Sequence, residues 1–291
     1  NCSMLFTETP LLERPAAARA AGFDAIEFWW PWPEQPVHSD ADVDTFVRAI
    51  RDAGVQLVGL NFFAGDLAGP DAGVLSIPDR SPQFRDNLDV AIGIGEQLGV
   101  MAFNALYGIR VDGVAAEQQD ELARDNLGRA ADAAARIGAT VLVEPVSGPK
   151  PYPLRTADDA VGVVDAVRAA GHDNVGFLCD LFHLGNNGDD VDAAIARHAE
   201  VTSHVQIADH PGRGEPGSGA LELDRHLGDL AQRGYAGWVG LEYKPTTDTE
   251  TSLEWLPRER RAAQNLGARS SRMTHAADLQ ARPDAERRRS A

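Results

Sequence analysis

Residues 174–209 read NVGFLCDLFHLGNNGDDVDAAIARHAEVTSHVQIAD: a strand-like apolar run, a helix-like segment and a second strand-like run. The same order recurs along the chain and predicts eight strands, each followed by a helix. Strict alternation of strands and helices indicates a parallel sheet. Eight such units in about 260 residues match the size of a closed (β/α)₈ TIM barrel. We therefore predict a single α/β barrel over residues 1–265, followed by a tail over residues 266–291.

The first predicted strand covers residues 1–6, NCSMLF. A doubly wound open sheet is the main alternative, and it usually carries a glycine-rich phosphate-binding loop after its first strand. Residues 1–10, NCSMLFTETP, contain no glycine, so the closed barrel is favoured. The last predicted helix begins near Thr249 and ends near Gln264.

The charge of the chain is negative and unevenly distributed. The net charge is −17; nine Arg and four acidic residues follow position 256, so this last segment carries +5 and residues 1–256 carry −22. An acidic body is poorly suited to nucleic acid, whose phosphates require a basic surface. For the basic tail we expect disorder, with binding to an acidic partner as the alternative.

The sequence has no apolar run of 18 residues and no basic N-terminal region followed by an apolar stretch. We therefore expect neither a transmembrane helix nor a signal peptide, no membrane partner, and a cytoplasmic location. Cys2 and Cys179 both lie in strand-like segments. Buried free thiols are favoured there over a disulfide or a metal site.

Four neighbouring strands each bring an oxygen-bearing side chain to the same edge of the predicted barrel. Glu144, Asp180 and Glu242 end three of these strands, and Gln206 lies within the fourth. In TIM barrels, catalytic residues lie at the C-terminal ends of strands. Three converging carboxylates would repel one another unless a divalent cation bound them. Carboxylate and amide oxygens suit Mg²⁺ or Mn²⁺ better than zinc, so we predict a magnesium or manganese site at these four residues.

Each of these residues also has a simpler interpretation when it is taken alone. Glu144 or Glu242 could end a strand in a salt bridge, and Gln206 could cap a neighbouring loop. A carboxamide in a buried strand nevertheless costs about 1–3 kcal/mol unless something binds it. The arrival of four such side chains at one barrel edge favours the metal site.

Six stretches are more specific than the strand pattern: NCSMLFTETP, AGFDAIEFWWPW, VLVEPVSG, CDLFHLGNNGD, HVQIADHPGRGEPGSGAL and GYAGWVGLEYKP. Through them the sequence, over about residues 1–257, resembles the hydroxypyruvate isomerase family of the xylose isomerase-like TIM barrels. The resemblance implies the metal site described above, with Glu144 and Glu242 as the catalytic acid–base pair and His183 holding the substrate. Related sugar epimerases and endonuclease-type barrels generally have His where Gln206 stands, which favours the hydroxypyruvate isomerase branch.

The reaction implied by this resemblance is the interconversion of hydroxypyruvate and tartronate semialdehyde (2-hydroxy-3-oxopropanoate) through an enediolate. Such a proton transfer needs a base, an acid and a cation at the developing oxyanion. The alternatives are a 2-oxo-tetronate isomerase or sugar epimerase on the same site, and a metal-dependent inosose or dehydroshikimate dehydratase. A non-catalytic barrel is disfavoured because every ligand position is filled, and a DNA phosphodiesterase is disfavoured by the acidic charge.

The carboxylate of such a substrate requires a cationic or N–H-rich partner, and His183, Arg213 and Lys244 are the candidates. Arg213 lies in the loop after the seventh predicted strand and could hold a carboxylate through two N–H groups. The alternatives are an ion pair of Arg213 with Glu215, a contact of His183 with Asp180, and a solvated Lys244.

The remaining features concern the walls of the site and the assembly. Trp29 stands at the top of the second predicted strand, in EFWWPWP, where its ring could wall the substrate pocket; core packing is the alternative. The loop over residues 62–81 is unusually long and could act as a lid, or have no function. The expected substrate is a small hydroxy- or oxo-acid. Barrels of this kind often dimerise, so a homodimer is the expected assembly.

Overall fold

A parallel sheet in barrel form makes up the centre of the molecule. The computed structural model describes residues 1–67 and 71–262. Seven strands follow one another around the sheet in chain order, and each pairs in parallel with the next. The strands are β1 (Ala25–Phe28), β2 (Gln56–Asn61), β3 (Ala102–Asn104), β4 (Thr140–Val143), β5 (Val175–Asp180), β6 (Thr202–Ile207) and β7 (Val239–Leu241). The parallel sheet and the TIM barrel architecture predicted from the alternation are confirmed.

Helices alternate with these strands. In the described part of the chain they are α1 (Arg14–Ala20), α2 (Asp40–Ala53), α3 (Ser81–Leu98), α4 (Ala116–Ala135), α5 (Ala157–Ala169), α6 (Leu181–Asn187), α7 (Val191–His198), α8 (Leu223–Gln232) and α9 (Thr249–Ser252). Short 3₁₀ turns cover Leu11–Glu13, Pro78–Arg80, Ala199–Val201 and Arg258–Arg260. Within residues 1–67 and 71–262, no helix has the length and apolar character needed to cross a membrane.

The prediction of a strand at residues 1–6 is wrong, because this segment folds into turns. Its first residues still lie between β7 and β1: the Asn1 nitrogen donates to the Leu241 carbonyl at 2.7 Å, and the Cys2 N–H donates to the Glu27 carbonyl at 2.8 Å. The next N–H groups are used locally, since Met4 and Leu5 both donate to the carbonyl of Asn1. The barrel is therefore nearly closed by seven strands and one turn.

The helix predicted at the C-terminal end of the barrel, from Thr249 to Gln264, is also too long. Helix α9 ends at Ser252, and Pro257 precedes a separate 3₁₀ turn. Proline lacks the N–H that a continuing helix would need, so the helix cannot run through this position. The predicted boundary at residue 265 and the tail over residues 266–291 lie outside the described residues.

The apolar core has two parts. The larger part fills the space between the sheet and the helices and contains the buried thiols Cys2 and Cys179, which are both free as predicted. A second, separate cluster consists of Ala102, Leu142 and Leu178, on three adjacent strands. Leu142 and Leu178 each precede a predicted ligand by two residues, so strand alternation places them on the same face as that ligand. This small cluster therefore supports the site from inside the barrel.

Candidate active site

The predicted ligands are all buried at the C-terminal ends of the strands. Glu144 follows β4 directly, Asp180 ends β5, Gln206 is the last but one residue of β6, and Glu242 follows β7. None is more than 5% exposed. Asp180 and Gln206 are register partners of neighbouring strands. The barrel thus brings the four side chains to one edge of the sheet.

Two carboxylates and one imidazole lie close together in this region. A carboxylate oxygen of Glu144, a carboxylate oxygen of Asp180 and a ring nitrogen of His183 lie within 4.8 Å of one another. Asp180 also caps helix α6, since its Oδ1 accepts the N–H of His183 at 3.1 Å. This cap fixes the Asp180 carboxylate relative to the ring of His183.

Glu242 lies outside that group of three because other donors hold its carboxylate. Its Oε1 accepts hydrogen bonds from Trp29 Nε1 at 2.7 Å, Asn1 Nδ2 at 3.1 Å and Gln206 Nε2 at 3.3 Å. Its Oε2 forms an ion pair with Arg213 Nη2. Burial nevertheless raises the pKa of Glu242, and the nearby charge of Arg213 only partly offsets this.

Glu144 has far fewer partners than Glu242. Its Oε1 accepts a hydrogen bond from Asn104 Nδ2 at 2.7 Å, whereas its buried Oε2 has no hydrogen-bond partner among the described residues. Burial, with the charges of Glu242 and Asp180, raises the pKa of Glu144 well above its ordinary value. Burial also raises the pKa of Asp180, to about 6. Bringing these carboxylates together is therefore costly without a cation.

His183 is held as a neutral imidazole. Its Nδ1 accepts the backbone N–H of Ser147 at 2.9 Å and lies 2.8 Å from Ser147 Oγ. Burial and the charge of Arg213 lower the pKa of His183 to about 3. Because Nδ1 is an acceptor, the ring proton of the neutral form must sit on Nε2. His183 is therefore arranged to donate a hydrogen bond, as a substrate-binding residue would.

Arg213 points into the site rather than to the surface. Besides its ion pair with Glu242, its guanidinium lies over the ring of Phe182, 5.2 Å from the ring centroid. Glu215, the alternative partner, bonds instead to Thr246. Lys244 is exposed.

The loop after β6 holds Arg213 in this position. The buried Asp209 carboxylate accepts the backbone N–H groups of His210, Gly217 and Leu221. The Arg213 backbone has a left-handed φ of 61°, which non-glycine residues adopt rarely and mostly at constrained sites. The loop thus fixes the base of the Arg213 side chain by backbone contacts.

A cavity of about 210 Å³ opens onto these residues and is lined by Trp29, Glu144, Ser147, Lys150, His183, Arg213 and Glu242, among others. Asp180 and Gln206 do not line it, but each touches a residue that does. Pockets for drug-sized ligands span roughly 300–1,000 Å³, so this cavity suits a smaller molecule.

Part of the long 62–81 loop covers this cavity. Phe62 and Phe63 are buried, and Leu67, Asp71 and Ala72 belong to the cavity wall. Lys150 Nζ donates to the backbone carbonyl of Asp71, which ties the loop to the segment after β4. Residues 68–70 lie outside the described residues. The lid function stays a prediction.

Of the three tryptophans at the top of the second predicted strand, only Trp29 lines the cavity. Trp30 is buried and donates to the Gln35 carbonyl, and Trp32 stacks on His38. Asn104 is a site residue that the sequence reasoning missed, although it ends β3 and so follows the strand-end rule. Ser147 and Lys150 carry no comparable signal in the sequence.

The donor set fits a divalent cation that prefers oxygen ligands. Among the buried oxygens without a hydrogen-bond partner in residues 1–67 and 71–262 are two on predicted ligands, Glu144 Oε2 and Gln206 Oε1, and two on residues that contact those ligands, Asn104 Oδ1 and Glu27 Oε1. Buried polar atoms are normally satisfied, so such oxygens beside three carboxylates indicate a site for a ligand. Carboxylates with an amide oxygen are typical donors for Mg²⁺ and related hard cations.

Known proteins resemble this chain over nearly its whole length. The family model "Xylose isomerase-like TIM barrel" matches residues 15–259. A Streptomyces coelicolor protein provisionally named hydroxypyruvate isomerase is 55% identical, covering 90% of this chain and 96% of its own. A 2-oxo-tetronate isomerase from Haemophilus influenzae is 32% identical and covers 88% and 96%.

A solved structure is similar to this chain in fold. The crystal structure of an AP endonuclease, family 2, from Brucella melitensis has a TM-score of 0.80 and 35% identity, covering 89% of this chain and 97% of its own. This agrees with the barrel fold. The chain therefore belongs to the xylose isomerase-like TIM barrels and, within them, to the hydroxypyruvate isomerase family of enzymes.

Proposed function

We propose that this protein interconverts hydroxypyruvate and tartronate semialdehyde in an Mg²⁺- or Mn²⁺-dependent reaction. The observation that carries the proposal is the convergence of Glu144, Asp180, Gln206 and Glu242 at one barrel edge, with two buried oxygens left unpartnered. Glu144, Asp180, Gln206 and Glu242 would hold the cation. When bound, the cation would acidify the substrate C–H and stabilise negative charge on the substrate oxygens.

Glu144 and Glu242 are the proton carriers in this proposal. One takes the proton from C3 of hydroxypyruvate and the other delivers a proton to C2, while the hydroxyl proton passes from O3 to O2, so the enediolate lies between the two glutamates. Both carboxylates line the cavity, and burial together with the charges of Glu242 and Asp180 raises the pKa of Glu144, which favours a role in proton transfer.

Arg213 and His183 position the substrate. The bonds of Arg213 to Glu242 use Nε and Nη2, so the Nη1 edge is left for the substrate carboxylate. His183 donates Nε2–H to a substrate oxygen, because Ser147 holds its Nδ1. The ring of Trp29 forms a wall of the cavity and donates to Glu242. Together these contacts orient a small oxo-acid between the two glutamates.

A four-carbon acid is the second candidate substrate. The relative from Haemophilus influenzae is named for 2-oxo-tetronate, and the same acid–base pair would serve that acid. The cavity of about 210 Å³ is large enough for either acid. A dehydratase would in addition need an acid aimed at a leaving hydroxyl.

The test is proton NMR of hydroxypyruvate with purified protein and Mg²⁺ or Mn²⁺ in D₂O. We expect metal-dependent formation of tartronate semialdehyde, abolished in EDTA-treated protein and in Glu242→Gln. A sample without enzyme controls for slow spontaneous enolisation. Deuterium exchange without product would move the proposal to the longer acid. No exchange above background with bound metal would rule out the isomerase proposal for hydroxypyruvate.

A further inference from the structure

A carboxylate that the proposed mechanism does not use lies inside the barrel next to the site. Glu27, on β1, is 5% exposed. Its Oε2 lies 3.1 Å from His204 Nε2 and 3.2 Å from Gln206 Nε2. His204 and Gln206 stand two residues apart on β6 and so project to the same face of that strand. The Glu27 side chain therefore links β1 to β6 through the barrel interior.

Two glycines make room for this side chain. A Cβ atom at Gly240, on β7, would lie 1.7 Å from Glu27 Oε1, and one at Gly59, on β2, would lie 3.2 Å from Glu27 Oε2. A buried carboxylate is costly unless its partners compensate for the lost hydration. Since the strands on either side accommodate Glu27 and His204 faces it, its position is built into the barrel.

The contacts with Glu27 and Glu242 determine which way the carboxamide of Gln206 points. Gln206 Nε2 faces two carboxylate oxygens, Glu27 Oε2 at 3.2 Å and Glu242 Oε1 at 3.3 Å. Carboxylates only accept hydrogen bonds, so the NH₂ group must occupy this side. The flipped amide would set its own oxygen against both carboxylates. Gln206 Oε1 is therefore turned away from them, buried and without a partner in the described part of the chain.

We propose that Glu27 is a positioning residue, which with His204 holds the Gln206 carboxamide so that its oxygen faces the divalent cation. The inference rests on the proposed function, because Gln206 acts as a ligand only if the site binds a cation. Residues that orient a metal ligand typically change metal affinity or activity by about 10- to 100-fold when they are replaced.

The test measures Mn²⁺ affinity of the EDTA-treated full chain, using the electron paramagnetic resonance signal of free Mn²⁺. Four proteins form a double-mutant cycle: wild type, Glu27→Gln, Gln206→Ala and the double variant. We expect Glu27→Gln to weaken Mn²⁺ binding by about 10- to 100-fold, because the new amide can donate to Gln206 Oε1 and favour the flipped orientation. In the Gln206→Ala background, Glu27→Gln should weaken binding no further.

A second background separates orientation from a general structural effect. Gln206→Glu places two equivalent oxygens at position 206, so no orientation has to be held. We therefore expect Glu27→Gln to leave the Mn²⁺ affinity of this background unchanged or to improve it. An equal loss in all three backgrounds would show that Glu27 only supports the fold, and it would overturn the inference.

The two proposals fail in different ways. If the wild type does not bind Mn²⁺, or if Gln206→Ala binds it equally well, the proposed metal site fails and the inference fails with it. If Gln206→Ala weakens binding but Glu27→Gln does not, only the inference fails. If circular dichroism shows that Glu27→Gln does not fold, Glu27→Asp replaces it in the test. This variant keeps the negative charge near His204 but moves the carboxylate away from Gln206. An unchanged Mn²⁺ affinity of Glu27→Asp would also overturn the inference.

Discussion

Glu144 and Glu242 are the same residue type in opposite hydrogen-bonding environments. Four donor groups surround the Glu242 carboxylate, whereas the Glu144 carboxylate has one donor and one unpartnered oxygen. A carboxylate with many donors is held in one orientation, and one with few can exchange a proton or accept a new ligand. We infer that Glu242 fixes the geometry of the site and that Glu144 has the greater freedom to act.

The role of Arg213 can be tested by removing its charge. Arg213→Gln should raise the KM for hydroxypyruvate by roughly 10- to 100-fold, since a hydrogen bond to a charged group contributes about 1.5–3 kcal/mol. Steady-state kinetics measure this directly. The matched control is Arg225→Gln, which removes a half-exposed arginine of α8 that pairs with Asp192 and Glu222 and does not belong to the cavity lining.

Arg213 contacts Glu242 as well as the proposed position of the substrate carboxylate. A second substrate is therefore needed to distinguish the effects of losing these two contacts. Dihydroxyacetone keeps the hydroxymethyl ketone of hydroxypyruvate but lacks the carboxylate. If Arg213 binds the substrate carboxylate, the enzyme-dependent deuterium exchange of dihydroxyacetone should hardly change in Arg213→Gln. A comparable loss on both compounds would assign the effect to the ion pair with Glu242 instead.

Part of the site was predictable at the level of single residues, and part was not. The strand-end rule led to Glu144, Asp180 and Glu242, and the same rule would have led to Asn104. The contact of Asn1 with Glu242 joins positions 241 residues apart, and no local pattern encodes such a pair. Only the closure of the barrel brings these two residues together.

Among the elements, the strands within the barrel followed from hydrophobic pattern, whereas the ends of the chain did not. Strands β1 to β7 all lie within the strands that the sequence predicts, at residues 24–30, 55–61, 100–106, 140–145, 174–180, 202–209 and 237–243. The segment over residues 1–6 has the composition of a strand but uses its N–H groups within a turn. The hydrophobic pattern of a sequence indicates which side chains are buried. It does not indicate the hydrogen-bond partners of the backbone, because these depend on neighbours that are distant in sequence.

The packing of β7 against Glu27 leads to a prediction about stability. Gly240→Ala should lower the free energy of unfolding by about 1–3 kcal/mol, because the added Cβ would fall 1.7 Å from Glu27 Oε1. Urea denaturation followed by circular dichroism measures the change. Gly228→Ala is the matched control: nothing lies within 4 Å of its Cβ position in α8, so it should stabilise by about 0.5–1 kcal/mol. Equal effects of the two substitutions would contradict the close contact.

At the scale of the whole molecule, net charge and substrate charge have the same sign. Residues 1–256 carry −22, yet the proposed substrate is an anion. Arg213 and Lys150 lie in the wall of the cavity and supply positive charge where the substrate would bind. Exposed charges more than about 8 Å away are largely screened at physiological ionic strength. The same wall also carries Asp71, Glu144 and Glu242, so Arg213 and Lys150 offset part of the negative charge that the substrate would meet.

The buried carboxylates also couple folding, pH and metal binding. The folded-state pKa of Asp180 is raised to about 6, above the ordinary value of about 3.9. A raised pKa contributes stability that is present below about pH 4 and is lost as the pH rises through about 6. The raised pKa of Glu144 acts in the same direction. At neutral pH the metal-free protein therefore holds carboxylates whose charge opposes folding, and a cation would relieve this.

We therefore expect Mn²⁺ to raise the melting temperature more at pH 7.5 than at pH 5.0. A ligand at 100 times its Kd stabilises by about 2.7 kcal/mol, which is about 5–10 °C for a chain of this size. At pH 5.0 the carboxylates must first lose protons, which weakens binding. The pKa of His183 is lowered to about 3, so this residue adds stability that is lost as the pH falls below about 6.5. The melting temperature of the metal-free protein therefore changes with pH as well, and the quantity to compare is the change in melting temperature that Mn²⁺ causes at each pH. Differential scanning calorimetry with Asp180→Asn as the control measures this, and the variant should show a small shift at both pH values. Equal shifts of the wild type at pH 5.0 and 7.5 would mean that Mn²⁺ binds away from these carboxylates.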